Sequence, residues 1–142
     1  MNMRNSELPL DVVWPRLIAI ADEMATTMFR TAFSHDVVEV HDMSTGLLDD
    51  RGHLMAQTWL GATGHTGCMP AFGANLVDAF PPETVNPGDV FICNDPWLCN
   101  GQTADVFITT PAFYEGKLVG SLPAQLRQQV EVLLDRADLH VT

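Results

Sequence analysis

The chain has 142 residues, 46% of them apolar and 18% charged, which suits one packed domain and argues against disorder. Seven Lys and Arg stand against eighteen Asp and Glu, a formal net charge of −11, and an acidic surface of that kind repels phosphate backbones, so nucleic acid is not expected as a partner. No run of roughly 18 uncharged apolar residues occurs, and residues 1–11 lack the apolar stretch of a signal peptide, so no membrane span is expected and the chain reads as cytoplasmic.

In chain order, Asp11 is placed to cap a helix. Trp14, Leu17, Ile18, Ala21, Met24, Ala25, Met28, Phe29, Ala32 and Phe33 then recur at helical spacing, which predicts a helix from about Asp11 to Phe33. Val37–Val40, Thr45–Leu48 and His53–Thr58 read as strands, and Asp49-Asp50-Arg51-Gly52 reads as the turn of a hairpin between the last two. Gly61–Gly67 reads as a flexible loop, and Met69–Phe80 as a short helix stopped by Pro81-Pro82. Pro87-Gly88-Asp89 turns the chain into a buried strand, Val90–Cys93, ended by Asn94-Asp95-Pro96. Val106–Thr110 and Lys117–Leu122 flank a Glu115-Gly116 turn and form a second hairpin. Leu126, Val130, Leu133, Leu134 and Ala137 space as one face of a terminal helix, from about Pro123 to Leu139. This order predicts an α+β fold: an N-terminal helix, antiparallel hairpins, a short middle helix and a C-terminal helix, in a single domain spanning residues 1–142.

Several residues are candidates for chemistry. Gly61–Gly67 lacks the Lys-Ser/Thr ending of a P-loop, so it is weak as a nucleotide site; its other reading is a loop of close backbone approach. His65 in that loop is expected to be exposed, and either catalytic or structural. Asp95 ends a strand, where an acidic side chain opens outward; an Asx turn is an equal reading. Asp105 precedes another strand and could join a second carboxylate in holding a divalent cation or a shared proton. His35, Asp36, His41 and Asp42 look like a metal group, but the spacing favours exposed residues at a helix-to-strand junction. Cys68, Cys93 and Cys99 have no CxxC spacing and read as buried, reduced thiols rather than a metal or redox set.

Three ordered runs resemble the hydantoinase B/oxoprolinase family. Thr45-Gly46-Leu47-Leu48-Asp49-Asp50-Arg51-Gly52-His53-Leu54-Met55-Ala56-Gln57 is similar to its D-x-x-G hairpin. Gly64-His65-Thr66-Gly67-Cys68-Met69-Pro70 is similar to its His-x-Gly-x-Met-Pro run. Pro87-Gly88-Asp89-Val90-Phe91-Ile92-Cys93-Asn94-Asp95-Pro96-Trp97 is similar to its P-G-D strand ending N-D-P and an aromatic. Asp105-Val106, Thr110-Pro111 and Gly116–Gly120 continue the likeness, which covers about Thr26 to Gly120 and leaves 121–142 as a divergent tail.

The resemblance implies an N-terminal piece of a subunit for ATP-dependent hydrolysis of cyclic amides such as 5-oxoproline and hydantoins. ATP would be held by a partner of the hydantoinase A type. The alternatives are a non-catalytic truncated paralogue that binds such a partner, or a fragment of a ketone-carboxylase-type subunit. It assigns His65 and Asp95 to the catalytic surface. It also implies a divalent metal in full-length relatives, held in the ketone carboxylases by a His-x-x-Asp pair and a later histidine. That pair falls on Gln102-Thr103-Ala104-Asp105, so Asp105 is kept while Gln102 offers a poor transition-metal ligand. The chain alone is expected to be inactive, with an uncovered sheet edge and a tendency to self-associate.

Overall fold

The structure, a computed structural model, describes residues 9–99, 101–102 and 104–127. Helix α1 runs over Leu10–Thr31. Pro9 takes the N-cap position and its carbonyl accepts from Val12 and Val13, so Asp11 lies in the first turn, where a negative charge suits the helix dipole, rather than capping it. The helical periodicity is therefore real, but only Ala21 and Ala25 of the apolar face are buried.

A helical turn, α2, follows at His35–Val38, where an extended segment was expected. Four apolar-rich residues cannot distinguish a strand from a turn of helix, and packing decides. Val37 is fully buried with Ala25 and Met43, against Met28, Phe29, Ala32 and Ile108. His41, in a left-handed conformation at φ 57°, then redirects the chain.

Strands β1 (Met43–Leu48) and β2 (Leu54–Gln57) form the expected hairpin. The Asp49 carboxylate receives the backbone N–H groups of Arg51 and His53 and lies 3.0 Å from the His53 ring. Partial burial of Asp49 opposes its charge, but these hydrogen bonds outweigh it and hold the carboxyl below its usual pKa. The glycine-rich loop contains one helical turn, α3 (Thr63–Thr66), which leads into α4 (Met69–Ala79). A 3₁₀ turn at Pro82–Thr84 follows. Strand β3 is Phe91–Cys93, β4 is Asp105–Tyr114 and β5 is Lys117–Arg127.

The sheet order is β2-β1-β5-β4-β3, every neighbouring pair antiparallel. Met43 and Ile108 face α1, and the Thr45 hydroxyl donates to the Ala21 carbonyl at 2.7 Å. Phe107 faces the other way, where it stacks on Phe72 of α4 at 4.5 Å in a cluster with Met69 and Cys99. With a helix over each face, β1 is buried along its whole length. Helix α4 docks against the β1–β2 turn through Gly52 and Gly73; a β-carbon at either would meet the other's carbonyl oxygen.

Two further expectations are corrected. β3 is an edge strand, with Ile92 exposed, rather than a buried one. The terminal helix does not begin at Pro123, because 123–127 continue β5 between β1 and β4; the rest of that expected helix lies outside the described residues. Pairing on both sides overrides a weak amphipathic pattern. Pro123 has no N–H to give, and the β1–β5 ladder, paired at Thr45–Ala124 and again at Leu48–Ser121, skips the positions between.

Candidate functional site

Four polar side chains from four separate segments meet on the α4 side of the sheet. Asp42 immediately precedes β1, His65 sits in α3, Asp105 opens β4 and Gln125 lies in β5. Gln125 is directly opposite both Ser44 on β1 and Phe107 on β4, so these three share one face, and Asp105 is two residues from Phe107 on that face. Helix turn α3 packs over β1 and brings His65 down onto them.

His65 Nε2 lies 2.5 Å from Asp42 Oδ1, and His65 Nδ1 lies 2.5 Å from Gln125 Nε2. Gln125 Nε2 also donates to Asp105 Oδ2 at 3.1 Å, and His65 Nδ1 is 3.8 Å from that same oxygen. The carboxamide orders the set. Its two N–H bonds serve His65 Nδ1 and Asp105, so Nδ1 accepts and Nε2 carries the hydrogen that goes to Asp42. Burial is deep: side-chain exposure is 12% for His65, 15% for Asp42 and 1% for Asp105. Gln125 Oε1 and the neighbouring Ser44 Oγ are buried without hydrogen-bond partners among the described residues, so the cluster has polar capacity to spare.

His65 is thus not the exposed loop residue that glycine-rich surroundings suggest. Its ring is held by a carboxylate and a carboxamide that come from distant parts of the sequence. Asp105 is brought to it. Asp95 instead occupies the exposed turn after β3, where its Oδ1 accepts from the Trp97 N–H at 2.8 Å, an Asx turn. Of the His/Asp group near α2, His35 and Asp36 are exposed, and the His41 ring lies 4.3 Å from that of Phe29. Only Asp42 enters the cluster. Sequence reasoning missed Asp42 and Gln125 as members of the site; the period-2 alternation of β5, had its length been recognised, puts Gln125 on the face of Ser121 and Pro123.

The divalent metal that the resemblance implies does not fit this donor set. Ligand atoms of a metal converge on one point, whereas here the imidazole separates Asp42 from Asp105 and both its nitrogens are engaged. Among the described residues no three His, Cys, Asp or Glu side chains are disposed to hold a metal ion. Gln102 is exposed on the turn before β4. The Gln125 amide nitrogen lies between His65 Nδ1 and Asp105 Oδ2 and is bonded to both.

The fold and the cluster define a three-layer α+β domain that carries a carboxylate–imidazole–carboxamide site on one sheet face. A family model described as hydantoinase B/oxoprolinase matches residues 6–127. The chain belongs to that family. It is 32% identical over 104 residues to 5-oxoprolinase 1 of Arabidopsis thaliana, across 73% of this chain and 8% of the relative. It is 27% identical over 115 residues to the putative B-type component of a D-/L-hydantoinase from a Pseudomonas species, across 80% of this chain and 19% of that one. An ATP-dependent caprolactamase from Pseudomonas jessenii shares the fold, with a TM-score of 0.69 at 24% identity over 87% of this chain and 21% of its own. The chain therefore spans about a fifth or less of the length of these relatives.

Proposed function

We propose that this chain contributes one wall of the reaction chamber in an ATP-dependent ring-opening of a cyclic amide of the 5-oxoproline or hydantoin type. A partner of the hydantoinase A type holds the nucleotide and activates the carbonyl. The family match over residues 6–127 carries this reading. The names of the relatives give the substrate class: a 5-oxoprolinase and a hydantoinase component. No P-loop occurs in the 142 residues, so phosphoryl activation is assigned to the partner.

His65 is the acid–base group of this reading. Asp42 fixes its ring through Nε2–H, which leaves the Nδ1 lone pair facing the Gln125 amide. A water or substrate N–H that displaces that amide meets a positioned base, the arrangement general acid–base catalysis requires. Asp95, on the exposed turn after β3, is assigned a contact with the outer part of the substrate.

The test is reconstitution of the full chain with an A-type partner, with ADP release followed in the presence of 5-oxoproline or hydantoin. We expect no turnover by the chain alone and ring-dependent ADP release by the pair. His65→Ala should lower that rate by about 10²- to 10⁴-fold, the usual worth of a positioned acid–base group, and Asp95→Asn should mainly raise KM. Turnover by the chain alone, or a pair whose rate ignores His65→Ala, overturns the proposal. Stable binding to the A-type partner without any ring-dependent ADP release favours the non-catalytic reading.

A further inference from the structure

Outside the His65 cluster, two of the three cysteines meet at the far edge of the sheet. Cys93 ends β3 and is half-buried; Cys99 closes the turn that follows and is 8% exposed. The Cys99 thiol donates to the Cys93 sulfur at 2.6 Å. A disulfide bond is about 2.05 Å long, so the two sulfurs are within about half an ångström of bonding distance. The turn between them is already set by bonds that involve neither sulfur. Leu98 and Cys99 N–H donate to the Asp95 carbonyl at 3.2 and 3.0 Å, and Gly101 N–H to that of Pro96 at 2.9 Å. Cys68 packs against the same Met69–Phe72–Phe107 cluster, but its thiol is directed at the Gly64 carbonyl, 3.9 Å away.

We propose that Cys93 and Cys99 form a thiol–disulfide exchange site whose oxidant is a low-molecular-weight disulfide such as oxidised glutathione. The more accessible Cys93 loses its proton, attacks one sulfur of that disulfide and expels a small thiolate, which takes up the proton. Cys99 then loses its proton, attacks Cys93 in the mixed disulfide and expels the second small thiolate, which is protonated in turn. Two protein thiols give up two electrons and two protons, and one small disulfide becomes two thiols. Burial pushes the Cys99 thiol up, and the adjacent Cys93 and Asp95 add to this, so Cys99 suits the resolving step rather than the first attack. The product closes a seven-residue ring. It ties the Asn94–Trp97 run, with Asp95 and an outward-facing Trp97 at 92% exposure, to the Phe72–Phe107 core.

The full chain is equilibrated with glutathione buffers of increasing oxidised fraction, alkylated and weighed intact, and then mapped by peptide. The expected result is a species two hydrogens lighter that takes up one alkyl group, on Cys68. Cys68→Ser should form the same bridge. Cys99→Ser should instead accumulate one glutathione on Cys93, and Cys93→Ser should form no bridge. Should Cys99→Ser fail to fold, Cys99→Ala keeps the apolar contacts and reports the same trapped adduct. Three alkylatable thiols at every buffer ratio, or a bridge that includes Cys68, overturns the proposal.

Discussion

Gln125 decides the character of the candidate site, because its amide group stands between His65 and Asp105 and ties one to the other. It donates to His65 and to Asp105, and its own buried oxygen is without a hydrogen-bond partner among the described residues. Replacing the carboxamide by imidazole, Gln125→His, sets two histidines and a carboxylate around one point, a common zinc donor set. We expect Gln125→His to bind zinc at least about tenfold more tightly than the parent, since even outer-shell changes alter metal affinity by about 10–100-fold. Equilibrium dialysis reads the affinity, and cobalt substitution gives a visible spectrum of the site. Equal metal uptake by parent and variant would mean that Gln125 is not what excludes the ion.

At the scale of elements, the approach of α4 to the β1–β2 turn determines how closely the helix can cover its sheet face. Alanine is better than glycine in a helix by about 1 kcal/mol, so Gly73→Ala would stabilise an isolated α4. In the fold, the added methyl would run into the Gly52 carbonyl, which is backbone and cannot rotate away. Overpacking of this kind costs about 1–3 kcal/mol, enough to reverse the sign. Urea unfolding of Gly73→Ala should therefore show a net loss of stability, and a gain would show that the turn yields. The same docking positions Met69 and Phe72 over Phe107, which pairs with Gln125 on the adjacent strand, so α4 and the His65 cluster share that sheet face.

On the whole molecule, apolar surface remains on several sides. Trp59 is 80% exposed and Phe33 88%, while Leu10, Val12 and Trp14 line the start of α1. Trp14, Ile18, Leu54, Met55, Ala56 and Trp59 border a groove of about 300 Å³ between α1 and the edge strand β2. Apolar patches of this kind, beside an edge strand with free backbone groups, mark surfaces that other protein covers. No described helix is long and apolar enough to cross a membrane. Sedimentation of the isolated chain should show concentration-dependent association, reduced by Trp59→Lys on the rim of that groove. A strictly monomeric chain at all concentrations would remove this surface as an interface.

The local periodicities of the sequence determined α1, α4 and both hairpins, because 3.6-residue and 2-residue patterns and an Asp-Asp-Arg-Gly turn act over short range. The ordered motifs determined the family, since three matching runs at matching spacing constrain the fold more than any one residue does. What the sequence alone left open are the features that depend on neighbours far along the chain. Val37–Val38 became helix because Ala25 and Met43 close over Val37. Residues 123–127 became strand because β1 and β4 offer partners on both sides, even around a proline. The site shows the same division. His65 and Asp105 were legible as reactive residue types, but Asp42 and Gln125 acquire meaning only when the sheet brings positions 23 and 60 residues away from His65 to its two ring nitrogens.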